Sequence, residues 1–190
     1  ATVLMNGAQR KNLVFTSAGD ASAFFDHWLH GSGRTFDVCV CYYGDRNDSP
    51  FSKYADYYFE RKGGKFQNFH ALWGSNPHVF EPYERIFILD DDIIISGRDI
   101  DRMFVLHAEY SLDLSQPSFK YPSKISHSIT KQDKRFKLRF TDFVEVNAMV
   151  FSREALEQCM QEYDPKLTGW GIDYLFLWTL GKEREDKYAV

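Results

Sequence analysis

The sequence predicts an α/β domain built on a mostly parallel sheet with helices on both faces. Apolar runs that read as strands alternate along the chain with helical patterns. Three of those runs, ending at Asp20, Asp45 and Asp92, are apolar on both faces, as parallel strands covered by helices are. The 190 residues, 44% of them hydrophobic, are enough for one buried core, so a single domain over 1–190 is expected, whole or cut from a longer protein.

The elements follow in order. "NLVFTSAGD" (Asn12 to Asp20) reads as a strand ended by small residues, and "ASAFFDHWL" places Phe24, Phe25, Trp28 and Leu29 on one helical face behind an Asp20 N-cap. "TFDVCVCYYGD" and "RIFILDDD" repeat the pattern of an apolar run with a polar end. Between them, "FSKYADYYFERKGGKFQNFHALW" reads as helical pieces around the Gly63-Gly64 turn. "SGRDIDRMFVLHAEYSLDL" is a capped helix and "SQPSFKYPSKISHSIT" a Pro/Ser-rich loop. "KRFKLRF" alternates strictly and predicts a strand with one wet face. "DFVEVNAMVFS" is a further strand, "REALEQCMQEY" a helix, "GWGIDYLFLWTL" a glycine turn leading into a helix, and "DKYAV" the opening of a strand.

Composition narrows the function. A net charge of −4 leaves no electrostatic footprint for DNA or RNA, whereas 17% aromatic residues supply flat surfaces on which a base or sugar can stack. Cys39, Cys41 and Cys159 have neither a disulfide nor a zinc spacing and read as small buried hydrophobes. No apolar run approaches the ~18 residues of a membrane span, and "ATVLMNGAQRKN" lacks the apolar centre of a signal peptide. A soluble chain in a reducing, cytoplasmic setting is expected, although a tether removed from a longer protein would leave no trace here.

The feature that demands chemistry is Asp90, Asp91 and Asp92, three carboxylates at the end of an apolar run. In open parallel sheets, ligands bind beyond the carboxyl ends of the strands. Were the triplet extended, Asp90 and Asp92 would point the same way, roughly 6.5–7 Å apart. They would then repel by about 2.5 kcal/mol at an effective dielectric near 20. Hard divalent ions take carboxylates together with substrate phosphates, so Mg²⁺ or Mn²⁺ with a diphosphate is the natural partner. The alternative is that one Asp caps a helix, another closes a turn and the third is solvated.

"FILDDDIII", an apolar strand ending in Asp-x-Asp, resembles the metal-binding motif of nucleotide-sugar glycosyltransferases of the GT-A fold, whose sheet is Rossmann-type. "VEVNAMVFSREAL" and "GWGIDYLF" resemble their acceptor-side strand and their Gly-Trp-Gly-x-Asp helix start, in the same order. "LSQPSF" and "GGKFQNFHAL" are similar to a plant and algal group of glycosyltransferase-like proteins. The resemblance implies that Asp92 ligates the metal, that Asp90 holds the ribose or a metal-bound water, and that Asp91 faces the donor sugar. Asp173 matches the general base of inverting members; as a residue at a helix start it also reads as an N-cap. Trp170, beside Gly171, fits either a sugar-stacking surface or the core.

The resemblance places the nucleotide near Thr16, Ser17, Ala18 and Gly19 on the first strand and Tyr43 and Asp45 on the second. Lys65 and Asn68 match polar residues that reach the base or diphosphate, and equally read as ordinary loop polars. Glu145 and Asn147 share a strand face by period two, and would bind a sugar or satisfy buried polar groups. Many such enzymes supply a further metal ligand, often His, after the Gly-Trp-Gly-x-Asp helix; the sequence stops at Val190 before one. The expected activity is metal-dependent transfer of a sugar from a nucleoside diphosphate donor, a uridine one, to a glycan hydroxyl. A sugar-1-phosphate nucleotidyltransferase, or a non-catalytic nucleotide-sugar or glycan-binding module, is the alternative.

Overall fold

The computed structural model describes residues 10–22, 24–30 and 33–190. Most of the N-terminal stretch read above for a signal peptide, residues 1–9, lies outside them. Strands β1 (Asn12–Ala18), β2 (Phe36–Tyr42), β3 (Tyr57–Glu60), β4 (Arg85–Leu89), β5 (Leu114–Ser115), β6 (Ala148–Ser152) and β7 (Tyr188–Ala189) form one sheet in the order β3-β2-β1-β4-β6-β5-β7. The helices are α1 (Phe25–Trp28), α2 (Lys65–Ser75), α3 (Pro77–Phe80), α4 (Gly97–Glu109), α5 (Arg153–Glu162) and α6 (Ile172–Leu180). Four strand pairs are parallel, and β6 runs antiparallel to both β4 and β5. The mostly parallel α/β reading therefore holds.

Both faces of the sheet are covered, which is why its strands lack a polar side. Leu13 and Phe15 of β1, with Ile86 and Ile88 of β4, pack beneath Phe66 and Phe69 of α2 and Phe176 of α6. The alternate residues, Val14 of β1 and Phe87 of β4, face Trp28 of α1 and Phe104 of α4. Each fully buried Phe of this kind stabilises the fold by about 1.5–3 kcal/mol. Cys39, Cys41 and Cys159 are free and buried, and burial pushes each thiol well above its ordinary range. Among the described residues no helix is long and apolar enough to cross a membrane.

Helix starts match their local signals at α4 and α5. Ser96 Oγ accepts from Asp99 N at 3.1 Å, and Ser152 Oγ from Ala155 N at 3.2 Å, caps worth about 1 kcal/mol each. Four expectations need correction. Asp20 does not cap α1; its carboxylate accepts from the Tyr42 hydroxyl and the Asp45 amide instead. "YYFE" is strand β3, not a helical piece, because it extends the sheet beside β2. "KRFKLRF" is not a regular strand: Phe136 and Phe140 are both more than half exposed and Leu138 is only half-buried, so the three do not form a core-facing side. "DFVEVNAMVFS" is strand only from Ala148, leaving Glu145 and Asn147 in the segment leading into it.

Candidate active site at the carboxyl ends of the strands

The carboxyl ends of β1, β2 and β4 meet at one edge. Ala18 O accepts from Tyr43 N at 3.0 Å, and Asp90 N donates to Asn147 O at 2.9 Å, which ties the triplet to the segment before β6. β4 ends at Leu89, and the triplet is a turn closed by Ile93 N to Asp90 O at 3.2 Å. The extended arrangement of Asp90 and Asp92 is thereby corrected: the three carboxylates diverge into three environments.

Asp90 Oδ1 lies 2.6 Å from Lys65 Nζ, whose other protons go to the carbonyls of Val146 at 2.8 Å and Asn147 at 3.2 Å. Burial lowers the Lys65 pKa, and Asp90 beside it raises it again. Asp91 accepts from Gly19 N at 3.1 Å and from the Ser22 hydroxyl. Burial raises its pKa, the Gly19 N–H opposes that, and its two neighbouring carboxylates add to it. Asp92 is exposed and has no hydrogen bond or ion pair among the described residues. Tyr43 covers the end of β1 so closely that a Cβ at Gly19 would stand 2.7 Å from its hydroxyl. Its pKa is raised by burial and then by Asp91, Asp92, Asp90 and Asp20.

Of the remaining β1-side residues, Thr16, Ser17 and Ala18 are buried, with Ser17 Oγ accepting from Asn68 Nδ2 at 3.1 Å. Asn68 is 0% exposed and brackets the turn before α2, donating to Arg61 O and Gly63 O and accepting from Arg61 Nη1. It stands behind the cleft and does not reach into it. Asp45 sits at the outer rim, paired with Lys62 at 2.5 Å.

Next to Asp90 opens a cavity of about 460 Å³, lined by Lys65, His127, Glu145, Trp170, Gly171 and Asp173 among others. Glu145 is 7% exposed; its Oε2, like Asn147 Oδ1, is buried without a hydrogen-bond partner. Burial raises the Glu145 pKa, as does Asp173, while His127, Asn147 and Ser126 pull it down. The N-cap of α6 is Gly171, whose φ of 81° lies in the left-handed region that favours glycine. Asp173 is therefore not the cap: 8% exposed in the first turn, it accepts from Tyr174 N at 3.0 Å. Trp170 is 93% exposed, which removes the core reading for it. His127 and Ser126 were invisible as site residues in the sequence, since nothing local distinguishes them within a loop.

Among the described residues no three His, Cys, Asp or Glu side chains surround one point as a metal cage. A Mg²⁺-type ion needs none, because it takes one or two carboxylates and completes its shell with substrate phosphates and water. Asp92, unpartnered, and Asp90, engaged by Lys65 only through Oδ1, fit that donor set.

Residues 67–141 match the profile of a family described as a protein of unknown function, DUF707. No curated protein matches the sequence. Among solved structures the chain is similar to S. aureus TarS 1-349, at 13% identity and a TM-score of 0.62, over 95% of this chain and 57% of that one. The same protein in complex with UDP-GlcNAc matches at 13% identity and 0.60, over 95% and 55%. A cytidylyltransferase from Leptospira borgpetersenii matches at 10% identity and 0.51, over 95% and 75%. The chain thus spans just over half the length of the TarS 1-349 structures. Sheet order, helices on both faces and these likenesses together identify a GT-A-like α/β fold.

Proposed function

We propose that the 190 residues act as one glycosyltransferase domain, moving a sugar from a nucleoside diphosphate, UDP above all, to a hydroxyl of a glycan. The observation that carries this is the meeting of a carboxylate turn, Asp90 to Asp92, with a cavity holding Glu145 and Asp173 at the carboxyl edge of one sheet. In this reading the ends of β1 and β2, with Gly19 and Tyr43, hold the base and ribose, while Thr16, Ser17, Ala18, Asp45 and Asn68 support them. Asp90 and Asp92 hold the ion, and Lys65 keeps Asp90 in place. A bound Mn²⁺ or Mg²⁺ supplies Lewis-acid neutralisation of the departing diphosphate. Asp173 takes the proton of the acceptor hydroxyl as it attacks, since a neutral alcohol is a poor nucleophile and a placed carboxylate corrects this. Trp170 offers a flat surface to a sugar ring beside Gly171, and Glu145 and Asn147 offer unpartnered oxygens to its hydroxyls.

A nucleotidyltransferase is the second reading, favoured by the likeness to the cytidylyltransferase. The described part of the turn after β1, Gly19 to Ser22, carries no Lys or Arg to hold a triphosphate. Incubation with UDP-sugars, Mn²⁺ and glycan acceptors separates the two. Transfer releases UDP and lengthens the acceptor; nucleotidyl transfer from a nucleoside triphosphate and a sugar 1-phosphate releases pyrophosphate and would overturn the proposal. Metal-dependent binding of a nucleotide sugar with neither transfer nor hydrolysis would point to a non-catalytic module.

A further inference from the structure

A second cavity, about 630 Å³, lies between α4 and the segment 116–139, and no carboxylate of the Asp90–Asp92 turn lines it. Its size falls within the ~300–1,000 Å³ of small-ligand sites. The segment 120–139 carries seven Lys and Arg against one Asp, in a chain whose net charge is −4. Some of these cations are neutralised: Arg135 pairs with Asp133 at 2.6 Å and Lys137 with Glu109 at 2.9 Å. Others are not. Lys120 and Lys134 of this segment, together with Arg102 of α4, line the cavity, are exposed, and form no ion pair among the described residues. Glu109 raises the Lys137 pKa, and Arg102 nearby opposes that rise.

The acids in the wall do not offset this group. Asp133 is paired with Arg135, which leaves Asp26, at the α1 edge, and Asp99, bonded by Ser96 Oγ at 2.7 Å, as carboxylates against Arg102, Lys120, Lys134 and Arg139 of the lining. The same wall presents Phe136, 53% exposed, with the Arg135 guanidinium 5.6 Å from its ring centroid. Deeper, His107 is 1% exposed and bonds Ser115 Oγ through Nδ1 at 2.8 Å, while its buried Nε2 has no partner. Uncompensated cations, an open aromatic ring and an unpartnered polar atom therefore share one concave wall.

We propose that this groove binds an acidic oligosaccharide, its carboxylates on Arg102, Lys120 and Lys134 and a ring against Phe136. A sugar ring with its apolar face and ionised substituents matches that mixture of aromatic and cation. The cations line the inside of a concavity, which favours a narrow chain over a flat bilayer. The inference goes beyond the transferase reading and does not need it, since binding here involves none of the residues assigned to donor or proton transfer.

Titration calorimetry of the 190-residue chain with a galacturonic acid hexamer and with a neutral glucan hexamer tests it. The acidic hexamer should bind at least about tenfold tighter, and its affinity should fall steeply with added salt. Arg102→Glu combined with Lys134→Glu should weaken it by a further tenfold or so while the melting temperature stays within about 2 °C, both residues being exposed. Phe136→Ala should weaken both hexamers. Equal affinity for the two hexamers, or an unchanged affinity in the folded charge-reversal variant, would overturn the proposal. So would binding confined to phosphatidylserine vesicles or to single-stranded DNA.

Discussion

Lys65→Met removes the one cation in ion-pair contact with the Asp90–Asp92 turn among the described residues. Lys65 spends its ammonium on Asp90 at 2.6 Å and on two carbonyls, Val146 and Asn147. Hydrogen bonds to charged groups are worth about 1.5–3 kcal/mol each. Three facts reduce the loss. Asn147 O keeps its bond from Asp90 N at 2.9 Å, and the Asp90 side chain, 39% exposed, regains water. Met also abolishes the burial penalty that already lowers the Lys65 pKa. The net cost is then about 1–3 kcal/mol, a fall in melting temperature of roughly 2–12 °C for a chain of this size. The same change makes the turn more negative. At about 6 Å and an effective dielectric of 20 a unit charge is worth roughly 3 kcal/mol, less where water screens it. Free protein should therefore bind Mn²⁺ at least about tenfold more tightly in Lys65→Met, measured by the paramagnetic broadening of water or by calorimetry. A variant that melts like the parent and binds Mn²⁺ no better would refute the view that Lys65 serves as counter-ion to this site.

Asp173→Asn preserves a side-chain oxygen for Tyr174 N but cannot take a proton, so transfer should fall by about 10²–10⁴ with donor affinity unchanged. Near-parental turnover would make Asp173 structural, and a product of retained configuration, seen by NMR, would remove the need for a base there. Burial holds the His107 pKa down to about 3 from its ordinary 6.5. Between these values the unfolded chain binds a proton that the native chain refuses, so this residue costs stability as pH falls below ~6.5, by about 1.4 kcal/mol per pH unit. His107→Gln should accordingly lose about 2 kcal/mol less than the parent between pH 7 and pH 5 in urea unfolding; superimposable pH profiles would contradict the buried neutral imidazole.

The sheet was legible because burial on both faces leaves a plain mark. β1, β2 and β4 bury apolar side chains against the helices on both faces, with Ser17, bonded by Asn68 of α2, a polar exception near the carboxyl end, and a run ended by Gly-Asp or by the Asp triplet locates the functional edge. β3 escaped because four aromatic-rich residues beside "KYAD" have no periodicity to separate strand from helix. "KRFKLRF" misled for the opposite reason: its alternation is clean, yet Phe136 and Leu138 line the same groove as the cations Lys137 and Arg139, so the segment does not split into an apolar and a wet face. At the site, Asp90, Lys65, Glu145, Trp170 and Asp173 do converge on one cavity edge. Which carboxylate is free and which is tied down was not legible. That depends on Gly19 and Ser22, and on Lys65, 25 residues before Asp90 in the chain. His127 depends on a loop folding back over the mouth, which no local spacing encodes.

In the proposed function Asp92, exposed and unpartnered, would help hold a divalent ion shared with a nucleoside diphosphate. The most direct measurement is the affinity of UDP for the parent and for Asp92→Ala, each with Mn²⁺ and with EDTA, by calorimetry. The parent should bind UDP at least about tenfold tighter with Mn²⁺. Asp92→Ala should melt no lower than the parent, since it loses no bond and sheds a repulsion, and should bind UDP equally weakly in both conditions. An Asp92→Ala protein that keeps the full Mn²⁺ enhancement would contradict the account.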